Sequence, residues 1–91
     1  MDRGLNVIAT HYGERPQLAQ LQEECAELIV ACSKVLRYGY TDQASEELSE
    51  ELADVEIMCQ QVRYLFGCDK EVDSIKENKI RRQLERISKE V

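Results

Sequence analysis

Two pairs of acidic residues, each with its members three positions apart, are the features of this sequence best suited to chemistry. Glu24 and Glu27 form the first pair, and Glu51 and Asp54 form the second. Residues three apart on an α-helix are separated by about 60° around its axis, so each pair directs two carboxylates into one sector. Carboxylate oxygens are ligands that Mg²⁺ and Mn²⁺ prefer, and four of them together repel unless a cation neutralises them. The pairs therefore predict two halves of one divalent-metal site.

Chance is the competing explanation, because Asp, Glu, Lys and Arg make up 33% of the chain. Either pair alone is more simply explained as a solvated helix face. What favours a site is that each acidic residue comes one position before a residue of an apolar stripe with helical spacing. The first stripe consists of Leu18, Leu21, Cys25, Leu28, Cys32 and Val35, and the second of Leu48, Leu52, Val55, Cys59, Val62 and Phe66.

The shared offset from the stripes predicts how the two helices place their carboxylates. The acidic residues of both helices lie on the same rotational side of their stripes. If the helices are antiparallel and pack stripe to stripe, these two sides fall on one side of the interface. A short connection around Gly39 favours antiparallel packing, and glycine suits a left-handed helix C-cap. We therefore expect all four carboxylates to meet at the border of a helical core.

The fold class predicted from the sequence is all-α, because no segment alternates apolar and polar residues as a strand does. We expect one domain over residues 1–91, built as an antiparallel bundle of three long helices plus a short N-terminal helix. A chain of this length buries only about 60 to 65% of its unfolded surface, so we expect a homo-oligomer to complete the bundle. The expected helices span residues 5–12, 16–37, 42–66 and 70–90, with Thr41 or Asp42 capping the third and Asp69 the fourth.

Composition narrows the classes of partner and location. The net charge of −6 and the pI near 4.8 argue against a nucleic-acid polymer or an anionic membrane as partner, since both call for a basic face. No apolar run approaches the length of a membrane span, and the first residues lack the apolar stretch of a signal peptide. The expectation is a soluble, cytoplasmic protein.

Cysteine and histidine usage argues against softer metals. No two cysteines have the Cys-x-x-Cys spacing, and three of the four lie on the apolar stripes, so we expect buried, reduced thiols rather than zinc ligands or disulfides. His11 is the only histidine. A ferritin-like di-iron site takes a Glu-x-x-His motif from each of two helices, and this chain has no such motif. The cysteines are Cys25, Cys32, Cys59 and Cys68.

The last expected helix reverses the local charge of this acidic chain. Asn78, Lys79 and Arg82 lie within about 100° of arc around the helix axis, so they can face one target. A phosphate group suits these residues, because Lys offers a point charge and Arg a fork of donors to phosphate oxygens. The alternative is a solvated face paired by Glu77 and Glu85. The same helix has an apolar face, which we expect to join the core: Val72, Ile75, Ile80, Leu84 and Ile87.

The ordered set of these motifs resembles the MazG-like, all-α nucleoside triphosphate pyrophosphohydrolases. The resemblance extends from about Tyr12 to Arg82. It rests on Glu23-Glu24-Cys25-Ala26-Glu27-Leu28, Glu50-Glu51-Leu52-Ala53-Asp54-Val55 and Asn78-Lys79-Ile80-Arg81-Arg82. It implies Mg²⁺ ligation, with Mn²⁺ as an alternative, by Glu24, Glu27, Glu51 and Asp54. It also implies contact of Lys79 and Arg82, with Asn78, to the phosphates of the substrate.

The activity that this resemblance implies is hydrolysis of a nucleoside or deoxynucleoside triphosphate to the monophosphate and pyrophosphate. The implied working form is a homodimer or a homotetramer, and Glu24 or Glu51 is the candidate base that accepts the proton of the attacking water. The family often has tryptophan before a glycine where this chain has Tyr12; that tyrosine, Gln17 and Gln20 are candidates for a base pocket. Two other functions compete: a non-catalytic helical interaction module, and a regulatory relative that binds nucleotide without turnover.

Overall fold

Four α-helices make up the computed structural model of the chain, which describes residues 2–90. They are α1 (Asp2–Tyr12), α2 (Glu14–Tyr38), α3 (Asp42–Leu65) and α4 (Asp69–Ser88). The described residues contain no strand, which confirms the all-α prediction. Among residues 2–90, no helix combines the length and the apolar character that a bilayer crossing requires.

The connection between α2 and α3 follows the predicted end signals. Gly39 has φ +89°, which side-chain-bearing residues rarely adopt, and its N–H donates to the Val35 carbonyl at 2.8 Å. Thr41 then caps α3, because its hydroxyl accepts the Ala44 N–H at 3.1 Å. The predicted cap of α4 was wrong: Cys68 precedes the helix without a side-chain cap, and Asp69 is its first residue.

The helices α2 and α3 run antiparallel, as two contacts far apart along them show. Gln61 donates its side-chain amide to Gln17, whereas Lys34 pairs with Glu47 at 3.2 Å. Advancing along α2 from Gln17 to Lys34 therefore means moving backwards along α3. The helix α1 packs against both partners and contributes the buried Ala9.

On α2 and α3, the most buried residues lie about one position before the stripe that the sequence predicted. Gln17 and Ala31 are buried on α2, Ala44 and Met58 are buried on α3, and the members of each pair are fourteen residues apart. Glu24 and Glu51 are the midpoints of these intervals, and both residues are half-buried. The small side chains Ala31 and Ala44 allow the two helices to approach along this line.

The predicted stripes are only partly covered among residues 2–90. Leu18 and Leu52 are exposed, at 42% and 41%. The expectation of buried thiols is wrong for Cys32 and Cys59, which are exposed on the same stripes; Cys25 and Cys68 are half-buried, and all four thiols are free.

The helix α4 extends from the end of α3 and contributes no buried residue. Arg63 fixes the turn between them, with its guanidinium 2.7 Å from the Asp69 carboxylate and 2.6 Å from that of Asp73. Along the predicted core face of α4, Ile80 and Leu84 remain 58% and 61% exposed. Among the described helices α4 closely approaches only α3, so its apolar face has no partner within the chain.

Candidate functional site

Three of the four predicted metal ligands converge between α2 and α3. Glu24, Glu51 and Asp54 each direct a carboxylate oxygen to within 4.8 Å of the other two. The register of α2 against α3 explains why Glu24 and Asp54 lie close together. Gln17 is paired with Gln61; Glu24 comes seven residues after Gln17, and Asp54 comes seven residues before Gln61. Seven residues make nearly two helical turns, so each step returns to the same face. These three residues are called the carboxylate cluster below.

Glu27, the fourth predicted ligand, lies beside the cluster. Its oxygens are not part of the group that lies within 4.8 Å, yet its negative charge is close enough to Glu51 to raise the pKa of that residue. The proximity of Glu27 and Glu51 follows from the same register. Glu27 comes three residues after Glu24 on α2, and Glu51 comes three residues before Asp54 on α3.

The electrostatics of the cluster are those of crowded, partly desolvated acids. Burial raises the pKa of Glu51, and the charges of Glu27 and Asp54 raise it further. Burial also raises the pKa of Glu24, followed by its hydrogen bond to Asp54 and the charges around it. Without a cation, the protonated forms of Glu24 and Glu51 are therefore more favoured than that of an ordinary glutamate.

The donor set fits a hard divalent cation. Oxygen Oε2 of Glu51 is buried and has no hydrogen-bond partner among residues 2–90. A buried acceptor without a partner is rare in native proteins and calls for an explanation such as an ion. The group offers only carboxylate oxygens, which suits Mg²⁺ or Mn²⁺ better than metals that prefer thiolate or imidazole.

A pocket of about 470 Å³ opens between α1, α2 and α3 next to the cluster. We call it the amide pocket, because Gln17, Gln20 and Gln61 line it together with apolar side chains. Gln20 connects it to the cluster by donating its amide to Glu24 Oε1 at 3.2 Å. The candidate base-pocket residues Tyr12, Gln17 and Gln20 thus all line one pocket, and Gln61 is a member that sequence reasoning missed.

A second pocket, of about 300 Å³, lies on the opposite side of the cluster along α2. We call it the lysine pocket; Glu27, Lys34, Glu47 and Glu51 contribute its charged lining. Sequence reasoning also missed Lys34. The signal was present, because Lys34 comes seven residues after Glu27, as Gln61 comes seven after Asp54. Two-turn spacing from a predicted ligand would have found both.

The predicted phosphate-binding residues lie elsewhere in the chain. Asn78, Lys79 and Arg82 are exposed on α4, and Asn78 accepts a hydrogen bond from Arg81 at 3.1 Å. Within residues 2–90, no ion pair joins α4 to the cluster. A single chain therefore does not bring Lys79 and Arg82 to the carboxylates.

Comparisons with protein-family models, with curated proteins and with solved structures found no match to this chain.

Proposed function

We propose that this protein hydrolyses a nucleoside or deoxynucleoside triphosphate to the monophosphate and pyrophosphate with Mg²⁺, for which Mn²⁺ can substitute. The observation that carries the proposal is the carboxylate cluster, in which a buried oxygen of Glu51 has no hydrogen-bond partner among residues 2–90. The resemblance to MazG-like pyrophosphohydrolases supplies the substrate class. The order of the amide pocket, the cluster and the lysine pocket along α2 and α3 is compatible with an elongated substrate.

The residues proposed to hold the cation are Glu24, Glu51 and Asp54, with Glu27 as a fourth ligand beside them. A divalent cation bound there supplies Lewis-acid activation of water and neutralisation of phosphoryl charge. The protein's own contribution is to hold these carboxylates together in the α2–α3 interface. Glu24 and Glu51 are the two candidates for the base that accepts the proton of the attacking water, because both are carboxylates of the cluster and the chain offers no histidine there.

Positive side chains are also needed, because a triphosphate approaching a group of carboxylates meets strong repulsion. Lys34 lines the pocket adjoining Glu27 and Glu51, which makes it the candidate available within one chain. Its ammonium is 3.2 Å from Glu47 and 48% exposed, so a phosphate can compete for it. Lys79 and Arg82 keep their proposed phosphate role only if a neighbouring chain supplies them.

The proposed working form is therefore a homodimer or a homotetramer. The exposed apolar face of α4, which includes Ile80 and Leu84, supports association with another copy, since covering it removes apolar surface from water. The basic side chains of α4 and the acidic cluster carry opposite charges, which favours placing Asn78, Lys79 and Arg82 of one copy near the carboxylates of another.

A product assay tests this function directly. The protein is incubated with each common ribonucleoside and deoxyribonucleoside triphosphate plus Mg²⁺ or Mn²⁺, and the products are separated by chromatography. Monophosphate together with pyrophosphate is expected from at least one nucleotide. Diphosphate with phosphate, or no product from any nucleotide, would refute the proposal. Asp54→Asn is the control for contaminating hydrolases and should be inactive, whereas Glu46→Gln, an exposed change on the same helix, should retain activity.

The unpartnered face of α4 also favours a second candidate, an interaction module in which the acidic cluster only aids solubility. Such a module should show neither turnover nor saturable stabilisation by Mg²⁺. A regulatory relative would be stabilised by Mg²⁺ and nucleotide together but would release no product, so the two measurements separate the three functions.

A further inference from the structure

We infer that this protein accepts phosphoanhydrides with an organic group at both ends, such as dinucleoside polyphosphates, and that a pocket beyond Lys34 holds the second group. The inference rests on the proposed function, because the phosphate chain of such a ligand is taken to lie along the carboxylate cluster. It goes further by assigning a ligand group to a cavity that a nucleoside triphosphate does not need.

The cavity is a pocket of about 260 Å³ at the connection between α2 and α3, and we call it the turn pocket. Besides Lys34 and Glu47, its lining consists of Tyr38, Thr41, Gln43 and Ala44. Lys34 and Glu47 also line the lysine pocket. The two cavities are therefore consecutive parts of one groove, joined where the Lys34 ammonium lies 3.2 Å from Glu47 Oε2.

The groove follows one face of α2. Gln20, Glu27 and Lys34 are spaced by seven residues, and Tyr38 comes four residues after Lys34. These intervals are close to whole helical turns, so the four side chains lie within about 40° of arc. Gln20 lines the amide pocket, Glu27 and Lys34 line the lysine pocket, and Tyr38 lines the turn pocket. One elongated ligand can therefore contact all three pockets in this order.

The length of this face favours a ligand with two ends. Gln20 and Tyr38 are 18 residues apart, which corresponds to about 27 Å along the axis of α2. A nucleoside triphosphate with its base in the amide pocket directs its last phosphate towards Lys34 and has no group that continues beyond it. A dinucleoside tetraphosphate has such a group, because a second nucleoside follows its last phosphate.

The turn pocket offers contacts for a base and a sugar. The side chain of Tyr38 is 67% exposed, and an aromatic ring can stack on a base. Thr41 accepts the Ala44 N–H at 3.1 Å, so its hydroxyl hydrogen remains a donor; Gln43 donates to Glu47 at 3.3 Å, so its carbonyl oxygen remains an acceptor. Ribose hydroxyls both donate and accept, which matches this pair of groups.

Positive charge lies where the phosphate chain enters the turn pocket. Lys34 lines the entrance, and the Arg37 guanidinium lies 5.9 Å from the centroid of the Tyr38 ring. Glu47 is the one acidic residue in the described lining of this pocket, and it is paired with Lys34. The inner phosphates of a two-ended ligand can therefore pass Lys34 while a neutral nucleoside occupies the pocket beyond it.

The proposed reaction is of the same kind with this substrate. Water attacks the phosphorus next to the nucleoside in the amide pocket, and the bond from that phosphorus to the bridging oxygen breaks. The bridging oxygen leaves with the rest of the chain, and a cluster carboxylate accepts the proton of the water. Diadenosine tetraphosphate would thus give AMP and ATP, with no reactant other than water.

The test compares diadenosine tetraphosphate with adenosine tetraphosphate, which has the same number of phosphates but no second nucleoside. Analogues with methylene groups in place of the cleavable bridging oxygens are titrated into ¹⁵N-labelled protein with Mg²⁺. The side-chain amide of Gln43 and the backbone amide of Thr41 are followed by NMR. The two-ended ligand should shift both resonances in a saturable manner, and the one-ended ligand should shift them much less. Equal shifts from both ligands, or none from either, would overturn the inference.

Turnover of the unmodified compounds separates this inference from the proposed function. Hydrolysis of ATP by a protein that fails the NMR comparison would overturn the turn pocket as a site and leave the proposed function standing. The expected shifts in a protein that hydrolyses neither compound would support the site and refute the proposed function.

Tyr38→Leu tests the stacking contact, and Tyr40→Leu is the matched control. Tyr40 is 66% exposed beside the same connection but does not line the turn pocket. Tyr38→Leu should weaken binding of the two-ended analogue about tenfold, as expected for loss of one base–aromatic stack, and change binding of the one-ended analogue by about twofold or less. Tyr40→Leu should leave both affinities unchanged. An equal loss for both ligands in Tyr38→Leu, or no loss, would contradict the role of Tyr38.

Discussion

Gln20 donates its side-chain amide to Glu24 at 3.2 Å, and this bond joins the amide pocket to the carboxylate cluster. The two residues are four positions apart, so they are neighbours on one face of α2. Lys34 continues the same face beyond the cluster, in the lysine pocket. The α2–α3 interface therefore presents a neutral amide region, an acidic centre and a pocket that contains Lys34, in that order.

Mg²⁺ should stabilise the folded wild type in a saturable manner. The folded protein gathers the carboxylates and the unfolded chain does not. Binding therefore adds about 2.7 kcal/mol to the free energy of unfolding when the metal concentration is a hundredfold above Kd. Thermal unfolding across a range of Mg²⁺ concentrations measures this gain. Asp54→Asn should lose most of it and Glu27→Gln less, because Glu27 is outside the group of converging oxygens. Equal stabilisation of wild type and Asp54→Asn would contradict the site.

Replacement of Glu51 by Gln should stabilise the metal-free protein increasingly as pH rises. Burial, followed by the charges of Glu27 and Asp54, raises the pKa of Glu51, so the folded state holds this proton more tightly than the unfolded chain does. The associated stability is present at low pH and declines as pH rises above about 4.3, the ordinary value for glutamate, through the raised pKa. The variant has no such proton to lose.

Urea denaturation of wild type and Glu51→Gln between pH 4 and 8, with a metal chelator present, measures this difference. The free energy of unfolding of the variant minus that of the wild type should grow with pH. Glu46→Gln removes an exposed charge from the same helix and should show a smaller trend. A difference independent of pH would show that the crowding of Glu51 has no energetic consequence.

Much of this arrangement could be predicted from the sequence because the relevant signals are local. Gly39 and Thr41 set the ends of α2 and α3, and a short connection makes neighbouring helices antiparallel. The common offset of the acidic pairs from two apolar stripes was then enough to predict that carboxylates from both helices lie close together. These steps need only helical periodicity and one turn.

The rotation of the helices could not be predicted in the same way. Leu18 and its neighbour Gln17 differ by one position, or about 100° around the axis, and apolar periodicity favoured the leucine. In the structure Gln17 is buried because its amide is paired with that of Gln61, a contact between residues 44 positions apart. The direction of α4 is likewise determined by the contacts of Arg63 with Asp69 and Asp73, which no periodic pattern encodes.

The amides of Gln17 and Gln61 should be energetically coupled. Replacing either by Met leaves the other buried without its partner, which costs about 1 to 3 kcal/mol. Replacing both removes the unpaired group, so the double variant should lose less stability than the two single variants together. Urea denaturation of the wild type and the three variants gives the coupling. Strictly additive losses would show that the hydrogen bond does not contribute to stability.

Ile80→Glu should disrupt assembly without unfolding the chain. Ile80 is 58% exposed and α4 buries no residue, so an added charge there costs little within one copy, about 0.5 kcal/mol or less for a surface change. If another copy covers this face, the same charge must be buried in an apolar contact, which strongly opposes association. Light scattering after size exclusion should show a mass lower than that of the wild type, with helical circular dichroism unchanged. Ser74→Glu adds the same charge at an exposed position on the other side of α4 and should retain the wild-type mass. Identical masses for wild type and Ile80→Glu would exclude this face from the oligomer interface, and with it the proposed delivery of Lys79 and Arg82 by a neighbouring copy.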